Sequence, residues 1–447
     1  MNVSESFFAE IDKIEHLDIP SEVMARARRS LLDYLAVTCA GVTFQKEKLN
    51  SYFEFAQPEA GAFKAIGTGK NLALKEAVFL NGLNGHALDF DDGTNSGIIH
   101  LGSPIFSLLL PLAQRYDKSV DEVLRAAVIG YEASYTMAVS IQPKHKALGF
   151  HATGTCGMLG ATLAAAYMLD LTDEERFEAF AAACVAASGI LKVLDDGSEL
   201  KPYNVAKTAL LSLTSLQLAK SGFKGHPDPL GGYRGFLKMM SGDENTEIKP
   251  TLLNGTYAIM KSYTKPYASC RYTHPPVEAV IHLRNQYGIT PGMVDKIKVE
   301  TYNLAVSGHD HTDIQGAYSA KMSTPYSTAV ALIYGKAGLQ EFGEEVLESD
   351  TVKALTKKVV VLSDEELSSI FPGKQSAIVT IETNGKRYSE RVDFPKGEPE
   401  NPLSEEEFYS RYADLMAYGD IEKSVYDEVY KHVNKSDIKV EELIEKL

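Results

Sequence analysis

The sequence predicts a mainly α protein: a large helical domain interrupted by a smaller α+β module. Apolar residues recur at helical spacing from Ser21 to about Met239, as at Val23, Ala27, Leu31 and Leu35. Period-two and β-branched stretches replace that pattern between Tyr263 and Phe394. A linker rich in Pro, Gly and Glu, Pro395 to Pro402, then leads to a new helical signal at Ser404. The expected boundaries are 1–262 for the first part of an all-helical domain, 263–398 for the α+β module and 399–447 for the helical return.

Each element has a local reason. Ile105 to Ala113 is a long apolar run, suited to a buried helix. Gly154, Gly157, Gly160 and Ala164 place small residues on one helical face, so that another backbone can approach closely. Thr172-Asp-Glu-Glu175 is a capping box that starts a helix carrying Phe177, Phe180 and Cys184. In the module, Lys296 to Leu304 alternates with period two and Lys358 to Leu362 is β-branched. Ala377 to Ile381 and Arg387 to Phe394 flank Asn384-Gly385, the dipeptide that favours a type I′ hairpin turn. Ser404-Glu-Glu-Glu407 then caps a helix with Phe408, Tyr412, Leu415 and Met416.

Composition narrows the function. The 447 residues and 44% apolar content support two domains with a large core. No apolar run approaches the ~20 residues of a membrane span, and the first ten residues lack the basic start of a secretory signal. Four widely spaced cysteines, Cys39, Cys156, Cys184 and Cys270, read as reduced thiols of a cytoplasmic protein. A net charge of −15 disfavours nucleic acid, whose binding needs phosphates neutralised by Lys and Arg. It leaves an anionic small substrate open, because a few buried cations can dominate a pocket.

The densest chemistry lies in His86-Ala-Leu-Asp89-Phe-Asp91-Asp92-Gly93-Thr94-Asn-Ser-Gly-Ile-Ile-His100, a polar loop expected between two buried helices. Carboxylates packed beside imidazoles are too costly electrostatically for idle structure. Three further clusters set a cation or proton carrier among small or apolar residues. They are Gly149-Phe-His151-Ala-Thr-Gly154, Gly197-Ser-Glu-Leu-Lys201-Pro202 and Lys265-Pro-Tyr-Ala-Ser-Cys270-Arg271-Tyr-Thr-His274-Pro275. In order, together with Ser323-Thr-Pro325-Tyr326, they resemble the MmgE/PrpD family from about Val23 to Tyr326.

That resemblance implies a helical domain with an inserted α+β lid and an active site in the cleft between them. It also implies a cofactor-independent lyase acting on a small di- or tricarboxylate. A 2-methylcitrate dehydratase-like reaction is the first expectation, with cis-aconitate decarboxylase-like and iminodisuccinate epimerase-like reactions as alternatives. A non-catalytic carboxylate-binding protein is a further one. Carried over position by position, the expected catalytic residues are His151, Lys201, His274 and Asp89. The expected substrate-binding residues are Thr94, His100, Arg271 and Tyr326. Imidazole suits the proton steps because it titrates near neutrality, and lysine suits carboxylates; Pro202 begins a helix whose N-terminus also favours anions. Lys207 reads as an ordinary helix lysine.

One departure stands out. The family's decarboxylase-like wording has Thr directly after the second adjacent Asp and a His-Pro further on, whereas this chain has Gly93 then Thr94, and His100-Leu-Gly-Ser-Pro104. Thr94 is therefore a candidate shifted by one residue. Two further patterns resemble metal sites. His309-Asp-His311 lacks further ligands at a metal-site spacing, so no metal is expected. Asp89, Asp91 and Asp92 in a helical setting also resemble the magnesium-binding aspartates of terpene cyclases, but no second metal motif accompanies them. No cofactor motif is present. The expected partner is a second copy of the chain, paired through the Ala- and Gly-rich helices.

Overall fold

The computed structural model describes the chain except for residues 16, 194–197, 251, 253–255, 436 and 437. The segment Asp195-Asp196-Gly197 ahead of Lys201 thus lies outside the described residues. The chain is mainly helical and packs as two compact units. The first comprises Met1–Leu191, Leu200–Ser262 and Glu405–Leu447, and the second comprises Lys192–Glu199 and Tyr263–Ser404.

In the first unit, helices α1 (Val3–Glu15), α2 (Ser21–Phe44) and α3 (Lys46–Ala56) are followed by α4 (Leu74–Gly85), α5 (Gly102–Arg115) and α6 (Val120–Ile141). A single turn, α7 (Lys144–Ala147), precedes α8 (Ala152–Met168), α9 (Asp173–Ala186) and α10 (Lys201–Lys220). Every residue of α8 is buried, and α5, α6, α9 and α10 all pack on it. Its small residues make that possible. A Cβ on Gly160 would lie 1.9 Å from Ser134 Oγ and 2.3 Å from the Gly130 carbonyl oxygen, and one on Gly154 would lie 2.6 Å from the Ser188 carbonyl oxygen. The small-residue face is therefore internal to the unit and is not the subunit surface that the sequence suggested. Thr172 and Glu175 form the reciprocal capping box at the start of α9.

The all-helical expectation fails at one place. Residues Ala60–Ala65 and Lys70–Leu72 form an antiparallel pair, β1 and β2. The first of these strands, Ala-Gly-Ala-Phe-Lys-Ala, has little hydrophobic alternation and is largely exposed, so it carries no period-two signal. Its turn uses Gly67 and Gly69 at φ 75° and 70°. The C-terminal helix Glu405–Tyr418 returns to pack on α2, burying Phe408, Tyr412, Leu415 and Met416. Each such side chain contributes roughly 1.5–3 kcal/mol.

The second unit holds a four-stranded sheet in the order β4-β3-β5-β6, with β3 Lys296–Thr301, β4 Val359–Ser363, β5 Ala377–Thr383 and β6 Lys386–Val392. β3 and β4 are parallel and the other pairs antiparallel. Asn384 and Gly385 sit at φ 49° and 74°, as a type I′ turn requires. Ala377, Val379, Ile381 and Thr383 alternate into the core, where helix His274–Tyr287 covers β5 and β6. The alternation that runs to Leu304 in the sequence ends at Thr301 in the sheet, because Asn303–Val306 turns helical.

Candidate active site

Residues 86–101 join α4 to α5, both of them buried helices. The loop folds back on itself through a Thr94–Ile99 bridge and holds two non-glycine residues in the left-handed region, Asp89 at φ 50° and Ile98 at φ 49°. Asp tolerates that region better than most residues, and such backbone persists where its surroundings impose it. One constraint comes from far along the chain. Arg411 of the C-terminal helix donates from Nη2 to the Phe90 carbonyl (2.9 Å), stacks on the Phe90 ring and pairs through Nη1 with buried Asp33. Burial outweighs that arginine and pushes the Asp33 carboxyl up to about 6.

All three loop carboxylates are buried, and each has a different set of partners. Asp92 accepts from the Gly102 N–H (2.9 Å) and from the Tyr131 hydroxyl. Burial raises its pKa, against those hydrogen bonds. Asp91 accepts from Ser103 Oγ (2.7 Å) and has both oxygens 2.9 Å from His86 Nδ1. Burial would raise Asp91, but His100 and His86 more than offset it and hold the carboxyl well below the usual range. Asp89 faces Lys201 Nζ at 2.6 Å and His100 Nε2 at 3.4 Å, with the Lys201 and Asp89 side chains 12% and 7% exposed.

A cation and a further proton carrier come from two other places in the same unit. Lys201 is the first residue of α10, followed by Pro202 at the first turn. His151 is the N-cap of α8 and is held there by its N–H to the Gly189 carbonyl (3.0 Å). Asn204 of α10 donates to His151 Nδ1 at 3.2 Å, so a neutral His151 carries its proton on Nε2. Burial, then Lys201, keeps His151 well below the usual imidazole range, and burial pushes His86 down to about 4. The rings of His86 and His100 are 4.7 Å apart and those of His86 and His151 6.0 Å. Asp89, His100, His151 and Lys201, expected from the sequence, thus gather in one place together with His86 and Asp91, which belong to the same motif but carry no expected role, and with Asn204, which no motif marks. Thr94 is buried in the same loop, its N–H donating to the Ile99 carbonyl and its hydroxyl without a hydrogen-bond partner among the described residues.

Lys207 is not the ordinary helix lysine expected. It is partly buried and donates to both the carbonyl and the hydroxyl of Ser188 (2.5 and 2.6 Å).

His274, Arg271 and Tyr326 belong to the second unit and are committed to contacts within it. His274 is fully buried, accepting from Arg271 Nη1 (2.8 Å) and facing the Ser269 carbonyl with Nε2 (3.2 Å). Arg271 pairs with Glu398, so its charge is already balanced there. The Tyr326 hydroxyl donates to the Glu341 carbonyl (2.9 Å), and burial raises its pKa. His309 and His311 bond separate backbone carbonyls, those of Met322 and Ser319.

His86, Asp89, Asp91 and His100 present four donor atoms within 4.8 Å of one another, a spacing that fits a divalent cation. The positive charge such an ion would bring is supplied here by the Lys201 ammonium, which occupies an Asp89 oxygen.

Residues 7–249 match the MmgE/PrpD N-terminal domain and residues 267–432 match the MmgE/PrpD C-terminal domain. The chain belongs to the MmgE/PrpD family. It is 27% identical over 433 residues to a cis-aconitate decarboxylase of Aspergillus terreus, covering 89% of this chain and 86% of that protein. It is 23% identical over 429 residues to the cis-aconitate decarboxylase of Mus musculus, covering 92% and 86%. The MmgE/PrpD match spans both units and includes every residue of the cluster. Among the described residues, no helix is long and apolar enough to cross a membrane.

Proposed function

We propose that this protein is a lyase that transforms a small di- or tricarboxylate with its own side chains, and that loss of carbon dioxide from a cis-aconitate-like substrate is its reaction. The observation that carries this reading is the Lys201–Asp89 pair set among imidazoles. A substrate carboxylate can take over the Lys201 ammonium at the start of α10, where backbone N–H groups add to the attraction. In decarboxylation, the bond from the α-carbon to the departing carboxylate breaks and leaves its electron pair on carbon. Lys201 offsets that charge and a neighbouring N–H supplies the proton. Burial assists, since a poorly hydrated carboxylate loses carbon dioxide more readily. The names of the relatives favour this branch.

Dehydration of a 2-methylcitrate-like hydroxy acid is the second reading, favoured by the Gly93-Thr94 departure from the decarboxylase-like wording. There a base removes the α-proton and an acid protonates the leaving hydroxide. We keep His151, Lys201 and Asp89 in catalytic roles, with His100 and Thr94 toward the substrate. His274, Arg271 and Tyr326 of the second unit are assigned to the same reaction on family grounds. A homodimer is also part of the proposal; exposed Val185, Tyr233 and Met239 in the first unit offer an apolar surface for it. The test is a panel of cis-aconitate, 2-methylcitrate, citrate and amino-dicarboxylates, with products identified by NMR and carbon dioxide trapped. Carbon dioxide from cis-aconitate supports the first reading and water loss from a hydroxy acid the second. Inertness toward the whole panel removes both.

A further inference from the structure

Three imidazoles share the cluster, and hydrogen-bond chemistry settles where two of them carry their protons. His86 Nδ1 lies 2.9 Å from both oxygens of Asp91. His100 Nδ1 lies 2.8 Å from the Asp92 carbonyl oxygen and 3.3 Å from Asp91 Oδ1. A carbonyl oxygen and an ionised carboxylate accept but cannot donate, so both Nδ1 atoms bear hydrogen. The Nε2 atoms of the neutral rings are then the open nitrogens. That of His86 is sealed from solvent and has no hydrogen-bond partner among the described residues, whereas that of His100 faces Asp89 Oδ1, the oxygen that also holds Lys201.

We infer that Asp91 is a positioning residue which holds His100 with Nε2 turned to the reaction, and that His86 and Ser103 are the donors that keep Asp91 charged and aimed. The inference rests on the proposed function only for what His100 does with a proton. A proton gained at His100 Nε2 makes an imidazolium with a carboxylate at each nitrogen, Asp91 behind and Asp89 in front. When it leaves, Nδ1–H remains fixed to Asp91 and the Asp92 carbonyl, so the ring cannot offer the wrong nitrogen. The groups around His100 are Asp89, Asp91 and the Asp92 carbonyl from its own loop, His86 just after α4, His151 at the start of α8 and Lys201 at the start of α10. Thr153 Oγ1 accepts from its backbone N–H (3.1 Å). Asp91 touches two of the three imidazoles, and Ser103, on the first turn of α5, donates to its second oxygen.

The inference separates variants that a merely structural carboxylate would not. Asp91→Asn preserves shape and removes charge. Turnover falls on the order of 10²-fold with little change in KM, and the acid limb of the kcat–pH profile moves to lower pH, because a negative charge beside the imidazoles has been removed. His86→Asn keeps an N–H donor toward Asp91 and should stay within several-fold of the wild type, whereas His86→Leu should fall as far as Asp91→Asn. Should Asp91→Asn not fold, Ser103→Ala removes one donor to the same carboxylate and moves the limb in the same direction by less. An unmoved limb in every folded variant, or equal losses in His86→Asn and His86→Leu, overturns the inference. Long-range ¹⁵N–¹H spectra of the substrate-free protein read the tautomers without any activity, with resonances assigned through the His86 and His100 variants. Nδ1–H on both rings in the wild type, with His86 switching to Nε2–H in Asp91→Asn, is the expected result. Nε2–H on either ring of the wild type overturns it, while the expected tautomers in a protein inert to every carboxylate would count against the proposed function alone.

Discussion

Replacing Lys201 by Met tests the pair on which the functional reading is built. Met keeps most of the stem and removes the charge. Lys201 Nζ is 2.6 Å from Asp89 Oδ1, with both side chains almost fully buried, so the variant takes the ammonium away from a carboxylate in a site of low polarity, where His100 Nε2 lies 3.4 Å away. Breaking a buried pair from one side costs about 3–5 kcal/mol, reduced here by that imidazole. Lys201→Met should therefore unfold at lower denaturant than the wild type by about 2–4 kcal/mol. Its turnover should fall on the order of 10²-fold or more, because the charge that held the substrate carboxylate is gone. Adding Asp89→Asn removes the stranded charge, so the double variant should regain most of the stability and none of the turnover. Lys207, held by Ser188, is unsuitable as a control; exposed Lys220, paired at the surface with Glu175, is suitable. Urea titration and steady-state kinetics on the four proteins decide the matter. Equal small effects for Lys201→Met and Lys220→Met, or turnover restored in the double variant, would refute the reasoning.

Other expectations follow from single contacts. Gly160→Ala drives a methyl against Ser134 and the Gly130 carbonyl and should cost about 1–3 kcal/mol or more, read from the denaturation midpoint. Buried neutral histidines make the fold acid-sensitive. His145 is held down at about 4 by burial, against an ordinary value of 6.5, so the unfolded chain takes up its proton first and stability is lost as pH falls from 6.5 toward 4. Asp33, raised from 3.8 to about 6, acts in the opposite sense, gaining stability as pH falls through that range. His145→Gln should flatten the acid loss by up to about 3 kcal/mol, with the Asp33 contribution common to both proteins. Val185→Asp with Met239→Asp should shift the sedimenting species toward the monomer, and a wild type that already sediments as a monomer removes the dimer proposal. Dialysis against a chelator should leave turnover unchanged, since Lys201 supplies the charge opposite Asp89.

Much of the architecture is legible in the chain because it depends on local periodicity and caps. The capping box at Thr172, the hairpin turn at Asn384-Gly385 and the strand pattern around Ile381 all act within a few residues. The β1–β2 pair escapes because its side chains are small or exposed, so no hydrophobic face marks it. The same distinction divides the site. Asp89, His100, His151 and Lys201 stand out as reactive residue types in glycine-bounded settings. Asn204 and Arg411 look like ordinary helix residues until the chain folds; Arg411 reaches Phe90 from 321 positions away. Lys207 misleads for the same reason, since its partner Ser188 is on a different element.

The most direct measurement of the central claim is proton NMR of cis-aconitate with the enzyme in deuterium oxide. The account predicts carbon dioxide release, one solvent deuterium entering the product at an end of the allylic unit that held the departing carboxylate, and both events slowed on the order of 10²-fold or more in Lys201→Met. Consumption of cis-aconitate at the wild-type rate by Lys201→Met, or no reaction and no deuterium uptake with this or any related carboxylate, would contradict it.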